Sequence, residues 1–96
     1  MFVVLLTYTK PLAAVDALLP AHREFLQRMY QQGIFILSGR KEPRDGGVVL
    51  ANAASAEELE SVLVQDPFHI HDVASYQVIE FVPTLAAPAL QSLVAA

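Results

Sequence analysis

The chain has 96 residues, of which 54% are hydrophobic and 17% are charged, and its formal net charge is −4. This length fits one domain and leaves no room for a second folded core. Only six residues are Lys or Arg, which argues against nucleic acid as a partner, because phosphate binding needs clustered basic side chains. Because cysteine is absent, disulfides, thiolate nucleophiles and cysteine-based metal sites are excluded.

No apolar run of the sequence reaches the roughly 20 residues that a membrane-spanning helix needs. The run from Phe2 to Leu6 is also too short for the core of a signal peptide, and no basic segment precedes it. We therefore expect a cytoplasmic protein without a membrane partner.

The first part of the chain predicts a strand and a helix. Phe2 to Tyr8 is rich in aromatic and β-branched residues, which favours a first strand. A loop or short turn is expected over 12–19, because Pro20 has the backbone geometry of a first helical turn and predicts a helix from there to about Gln32. Gly33 supplies the stop signal.

The middle of the chain predicts a hairpin and a second helix. Ile34 to Leu37 is an apolar strand, 41–47 is rich in turn formers, and Val48 to Ala51 returns as a third strand. Ser55 begins a Ser-x-x-Glu capping box, which predicts a helix over 56–65.

The last part of the chain predicts a fourth strand and a terminal helix. Pro67 disfavours helical backbone at the preceding residue, so the second helix should end at Asp66 and the chain should turn through 68–70. Ser75 to Val82 is the predicted fourth strand, and 89–95 is a predicted short helix.

These elements make an α+β domain of β-α-β-β-α-β order, expected over 1–83, with a C-terminal extension over 84–96. Two helices can cover only one face of a four-stranded sheet, yet Phe2–Leu6 and Ile34–Leu37 are apolar on both faces. A second copy packed sheet against sheet is the simplest cover, so we predict a homodimer. Alternatively, the tail over 85–94 folds onto part of the open face.

Two polar residues fall on inward faces of the predicted helices. His22 lies on the apolar arc that includes Phe25 and Met29, where it is either a satisfied core residue or the floor of a pocket. Asp66 continues the stripe that Leu59 begins. Its carboxylate is either paired in a cleft or merely caps the following turn.

If both helices pack on the same sheet face, His22 and Asp66 are expected to approach each other near one end of the sheet. A carboxylate bonded to one ring nitrogen fixes the tautomer and raises the basicity of the other nitrogen, as a general acid or base requires. In an isolated monomer His22 is most easily interpreted as a core residue, so we expect the pocket to be a dimer cleft.

His69 and His71 lie on one side of an extended segment and are followed by Asp72. They are either metal ligands or polar surface, and because the sequence places no further ligand beside them we expect no metal. The chain has no glycine-rich phosphate loop, nucleophile elbow or Rossmann fingerprint. We therefore expect no cofactor.

Four motifs together resemble the YCII-related (YciI-like) family: His22 to Leu26, Gly33 to Gly39, Asp66-Pro67-Phe68, and Ile79-Glu80-Phe81. The resemblance extends over nearly the whole chain to Pro83. It implies a ferredoxin-like domain that dimerises as an α/β barrel, with a catalytic site built on His22 and Asp66. Family members include a dehydrochlorinase that acts on a chlorinated hydroxyquinol.

One motif departs from the family pattern, because Ser38-Gly39-Arg40 stands where Ser-Gly-Pro is expected. We predict that these residues and Phe68 bind substrate. Ser38 would offer its hydroxyl, and Arg40, with neighbours such as Arg44, would attract an anionic group. Alternatively, these hairpin charges are solvated surface.

Two functions are consistent with these residues. The first is a cofactor-free lyase, isomerase or dehydrochlorinase-like enzyme acting on a small cyclic or aromatic acid, in which His22 moves a proton and Asp66 orients and charge-balances it. The second is a non-catalytic dimeric module that binds a small molecule in the same cleft. A cofactor-free monooxygenase is suggested by fold analogy alone.

Overall fold

The computed structural model describes residues 1–95. Its elements are β1 (Phe2–Tyr8), α1 (Leu12–Gln31), β2 (Phe35–Arg40), β3 (Gly46–Ala51), α2 (Ala56–Leu63), α3 (Pro67–Ile70), β4 (Ala74–Glu80) and a 3-10 helix over Pro88–Leu93. The strands form one antiparallel sheet in the order β2-β3-β1-β4. The predicted α+β class and order of strands and main helices are confirmed.

The first helix begins earlier than predicted. The segment 12–19, expected as a loop, forms the first turns of α1, and Pro20 lies inside the helix. Proline in a helix interior removes a hydrogen bond and crowds the preceding turn. Here Val15 is completely buried, and Leu18 and Leu19 pack against the core. This apolar burial stabilises the early turns in spite of the proline.

Other predicted helix signals lie where the sequence placed them. Gly33 follows α1 with a φ of 73°, which is the left-handed conformation that glycine adopts readily. Ser55 Oγ accepts a hydrogen bond from the Glu58 amide at 3.1 Å and so caps α2. The helix then ends at Leu63, slightly before its predicted end. The predicted turn over 68–70 belongs to the single helical turn α3.

The predicted hairpin is formed by β2 and β3, and both strands are longer than the apolar runs that predicted them. Ser38 pairs with Val49, and Arg40 pairs with Gly47. Because directly paired residues of antiparallel strands share a face, Ser38 lies on the same face as the buried Val49. The longer β2 therefore places polar side chains beside the core.

One sheet face packs against the helices, and the other face is open. Phe2, Val4 and Leu6 of β1 are buried in the core with the apolar faces of α1 and α2. By strand register, the opposite face carries apolar residues from every strand: Val3, Leu5, Leu37, Val48, Leu50 and Ile79. Leu37 is 67% exposed and Ile79 is 45% exposed, so this open face is uncovered in the single chain.

The tail after β4 leaves that face uncovered. Its 3-10 helix has no substantial packing against the strands or helices within residues 1–95, and Leu85 is 91% exposed. A hydrogen bond of 2.9 Å from the Ala95 amide to the Pro83 carbonyl closes the tail into a loop. The proposed domain boundary at residue 83 stays a prediction. In the described part of the chain, no helix is long and apolar enough to cross a membrane.

The close approach of β1 and β3 provides a test of the sheet register. A Cβ atom at Gly46 would lie 1.8 Å from the Leu6 carbonyl oxygen, so Gly46→Ala must push the strands apart. We expect it to lower the free energy of unfolding by at least about 2 kcal/mol. Gly39→Ala, which meets no atom within 4 Å, should cost less than about 1 kcal/mol. Urea unfolding measures both, and equal stabilities would contradict the register.

Candidate functional site

The structure brings His22 and Asp66 together. His22 lies on α1 and Asp66 lies immediately before α3, and the His22 Nδ1 to Asp66 Oδ1 distance is 2.7 Å. Asp66 is 2% exposed, whereas the His22 side chain is 12% exposed. The pair thus consists of a buried carboxylate and an imidazole that reaches the surface of the core.

Asp66 accepts two further hydrogen bonds. The Phe68 amide donates to Oδ1 at 3.0 Å, and the Tyr76 hydroxyl donates to Oδ2 at 2.6 Å. The first bond caps α3, so Asp66 both caps the turn and pairs with His22, the two roles that the sequence left as alternatives. Hydrogen bonds to an ionised acceptor are short and strong, which offsets the cost of burying a carboxylate.

The hydrogen-bond partner of Nδ1 defines the tautomer of the His22 imidazole. A carboxylate only accepts hydrogen bonds, so Nδ1 carries the hydrogen and Nε2 of neutral His22 presents a lone pair. Within residues 1–95, no buried side-chain nitrogen or oxygen lacks a hydrogen-bond partner, and His22 bonds through Nδ1 alone. It follows that Nε2 is open to solvent, and His22 is one of the residues that line the cleft described below.

Aromatic packing fixes the plane of the imidazole. The Phe68 ring stacks on His22 with a centroid distance of 3.9 Å and an angle of 4° between the planes. Tyr8 in turn contacts Phe68 edge-on, with a centroid distance of 6.0 Å. Phe68, whose role in binding substrate stays a prediction, therefore supports His22 directly.

A cleft of about 550 Å³ lies between α1, the end of β1 and the β2-β3 hairpin. Its lining includes five of the six predicted site residues: His22, Ser38, Gly39, Arg40 and Phe68. Asp66 lies behind His22 and holds it from the core side. We expected a dimer cleft; the residues that line this cleft all come from one chain, and the part of a second copy stays a prediction.

The predicted substrate-binding side chains differ in their surroundings. The Ser38 hydroxyl is hydrogen-bonded to the Tyr30 hydroxyl, which orients it at the cleft wall. Arg40 donates from Nε to Glu42 at 3.1 Å, and its side chain is 71% exposed. Arg40 thus lies at the outer rim of the cleft, where water screens its charge.

His69 and His71 lie away from this cleft. Both are exposed, and the His69 ring is 5.6 Å from that of Tyr76, beside a smaller cavity of about 350 Å³. Among the described residues, no three His, Cys, Asp or Glu side chains are grouped so that they could hold a metal ion.

Tyr76 and the Asp16–Arg44 ion pair were not predicted from the sequence, and these three residues lie at or beside the site. Tyr76 pairs with Leu6 across β4 and β1, which puts it on the core face next to Asp66. Burial, followed by the negative charge and hydrogen bond of Asp66, raises the pKa of Tyr76 well above its ordinary value of 10.0. The phenol therefore remains a hydrogen-bond donor to Asp66 at neutral pH.

The Tyr76 bond gives a testable stability difference. Tyr76→Phe removes a donor to a buried carboxylate and should lower the free energy of unfolding by about 1.5–3 kcal/mol, whereas Tyr30→Phe removes a neutral bond and should cost about 0.5–1.5 kcal/mol. Chemical denaturation at neutral pH measures both. A Tyr76→Phe protein as stable as wild type would contradict the hydrogen bond.

The raised pKa of Tyr76 also predicts the alkaline behaviour of the protein. Its stabilising contribution is complete below the ordinary tyrosine pKa of 10.0, because neither state has then lost the proton. Above about pH 10 the unfolded chain loses the proton first, so stability falls as pH rises. Denaturation at several alkaline pH values should show a shallower fall for Tyr76→Phe than for wild type, and parallel curves would contradict this.

Comparisons with known proteins agree with this fold. A model of the YCII-related domain matches residues 1–82. A similar solved structure is that of 5-chloro-2-hydroxyhydroquinone dehydrochlorinase (TftG) from Burkholderia phenoliruptrix AC1100, in complex with 2,5-dihydroxybenzoquinone. Its TM-score is 0.72 at 17% sequence identity, and the match covers 86% of this chain and 95% of that chain. No curated protein sequence matches this chain significantly. With its ferredoxin-like α+β fold and a family match over most of its length, the chain belongs to the YCII-related domain family.

Proposed function

We propose that this protein is a cofactor-free enzyme that uses His22 as an acid/base catalyst on a small cyclic or aromatic acid. The observation that carries the proposal is the bond between His22 Nδ1 and the buried Asp66 carboxylate, which leaves Nε2 free to take a proton from a substrate in the cleft. When Nε2 gains the proton, the Asp66 carboxylate balances the new positive charge on the ring.

Elimination and isomerisation are the reactions that this set of groups can support. In a dehydrochlorination of a chlorinated hydroxyquinol, two ring hydroxyls would each lose a proton and become carbonyls, the carbon that carries chlorine would gain one proton, and chloride would leave with the C–Cl electron pair. The net loss is HCl, and Nε2 of His22 would carry a proton from a hydroxyl oxygen to that carbon. No oxidant or reductant enters this balance. The dehydrochlorinase with a similar fold makes elimination from a hydroxylated ring the first reaction to test.

Charge at the cleft supports an acidic substrate. Three arginines line it, namely Arg23, Arg40 and Arg44, together with one acidic residue, Asp16. The chain as a whole carries a net charge of −4, so the cleft is a local concentration of positive charge on an acidic protein. Such a concentration attracts anionic ligands.

Turnover measurements on a His22 variant test the mechanism. The purified protein is mixed with 5-chloro-2-hydroxyhydroquinone and related hydroxylated ring acids, and chloride release and ultraviolet absorbance are followed. His22→Asn should lower turnover by a factor of about 10²–10⁴. His71→Asn, an exposed histidine outside the cleft, should leave it unchanged.

The outcomes of this experiment separate the two candidate functions. Turnover that His22→Asn leaves intact would refute the acid/base role. Binding of these compounds without any turnover, in wild type and variant alike, would instead favour the non-catalytic binding module.

We also propose that the protein is a homodimer paired through the open face of the sheet. The exposed apolar side chains of that face, such as Leu37 and Ile79, are costly in water. Each 100 Å² of apolar surface that a second copy covers contributes about 2.5 kcal/mol before the entropic cost of association. A face of several hundred Å² therefore provides enough free energy for a stable pair.

Substitution of one residue on the open face tests the dimer. Leu37→Lys puts a charge into the proposed interface and should convert a dimer to a monomer, because an unpaired buried charge is costly. Val64→Lys, at a 44% exposed position on the helical side, is the control and should stay dimeric. Sedimentation at micromolar concentration measures both, and a monomeric wild-type protein would refute the dimer.

A further inference from the structure

An ion pair links two segments that line the cleft. Arg44, in the loop between β2 and β3, donates from Nη2 to the carboxylate of Asp16 on α1. Both residues line the cleft that His22 also lines. The pair therefore joins the two walls of the cleft, with a guanidinium on one wall and a carboxylate on the other.

Arg44 is better placed than Arg40 to bind an anion inside the cleft. Its side chain is 33% exposed, compared with 71% for Arg40, which lies against Glu42 at the outer rim. The hydrogen bond with Asp16 is the largest influence on Arg44 and raises the pKa of its guanidinium. Arg44 is thus a permanent, partly shielded cation whose present partner is a carboxylate.

The partner carboxylate is easy to displace. The Asp16 side chain is 49% exposed, and an exposed ion pair contributes little to folding stability. A ligand that carries its own carboxylate or phenolate can therefore replace Asp16 on Arg44 at small cost to the protein. The exchange conserves the hydrogen bonds of the guanidinium and releases Asp16 to water.

The spacing along α1 suits a ligand with a single ring. Asp16 and His22 are six residues apart in the sequence, which corresponds to about 9 Å along a helix axis. An anionic group on Arg44 would therefore place the far side of an aromatic ring close to His22. Leu19, which lies between Asp16 and His22 in the sequence, and Phe68, which stacks on His22, are apolar residues that line the cleft.

We propose that Arg44 is the residue that binds the anionic group of the ligand, and that the Asp16 carboxylate occupies Arg44 as an internal competitor until the ligand arrives. This inference rests on the proposed function, since it concerns the substrate of the same cleft. It assigns the class of ligand: a one-ring aromatic acid whose anion takes the place of a side-chain carboxylate.

Calorimetric titration with two matched probes tests the inference. The probes are 2,5-dihydroxybenzoate and 2,5-dihydroxybenzamide, which share a ring and differ in charge. Asp16→Asn removes the competitor and should tighten binding of the benzoate about threefold to tenfold, with the benzamide unchanged. Arg44→Gln should weaken binding of the benzoate at least about tenfold, again with the benzamide unchanged.

A third variant distinguishes competition for Arg44 from the general effect of removing one negative charge near the cleft. Glu42→Gln removes the same negative charge as Asp16→Asn, but it frees Arg40 instead of Arg44. We expect it to change affinity for the benzoate by less than about twofold, because both side chains are exposed and screened. An increase as large as that of Asp16→Asn would overturn the proposal.

The remaining outcomes are also decisive. If Asp16→Asn binds the benzoate no better than wild type, or improves both probes equally, Asp16 is not a competitor for an anion site. Because the expected result is a gain in affinity, a misfolded variant cannot imitate it. These measurements concern binding, so failure here is distinct from failure of the acid/base mechanism, which would appear as turnover that survives His22→Asn.

Discussion

The Asp66 carboxylate is the point at which the fold and the candidate site depend on each other. It is buried at 2% exposure and accepts hydrogen bonds from His22 on α1, from the amide of Phe68 on α3, and from Tyr76 on β4. A buried carboxylate is tolerated only when such donors surround it. The hydrogen bonds that offset the cost of burying Asp66 therefore also hold α1, α3 and β4 at fixed positions around His22.

Stability alone does not explain why a carboxylate stands at this position. Buried polar and ionic groups can often be replaced by apolar residues of similar size with little loss of stability, and sometimes with a gain. What an apolar residue at position 66 could not do is hold the Nδ1 hydrogen of His22 and stabilise the ring when Nε2 takes a proton. Under the proposed acid/base role of His22, the polar network is thus explained by the chemistry of the cleft rather than by the demands of the core.

Local signals in the sequence predicted much of the fold, and long-range packing accounts for the rest. Gly33 and Ser55 act through their own turns of backbone, so their roles could be recognised without a structure. Pro20 misled the prediction because its local preference for a first helical turn was outweighed by burial of Val15, five residues earlier. A helix boundary that tertiary packing decides is not encoded in neighbouring residues.

The same distinction applies to the site. Helical periodicity placed His22 and Asp66 on inward faces, and the β-α-β-β-α-β order brought those faces together. Tyr76 and Arg44 could not be placed in this way, because one depends on the register of β4 against β1 and the other on the path of the hairpin loop. Sequence patterns thus identified His22 and Asp66 as a pair and named Arg44 among the candidate cations, but they predicted neither the phenol that bonds to Asp66 nor the pairing of Arg44 with Asp16.

The open sheet face and the cleft meet at one edge of the hairpin. By register, Gly39 and Val48 belong to the open face, yet both also line the cleft. The open face and the cleft therefore share these two residues of the hairpin. A second copy packed on the open face would border the cleft at these residues and shield that edge from water. Shielding strengthens charge interactions inside a site, so the proposed dimer would sharpen the selectivity of a cleft that a single chain already forms.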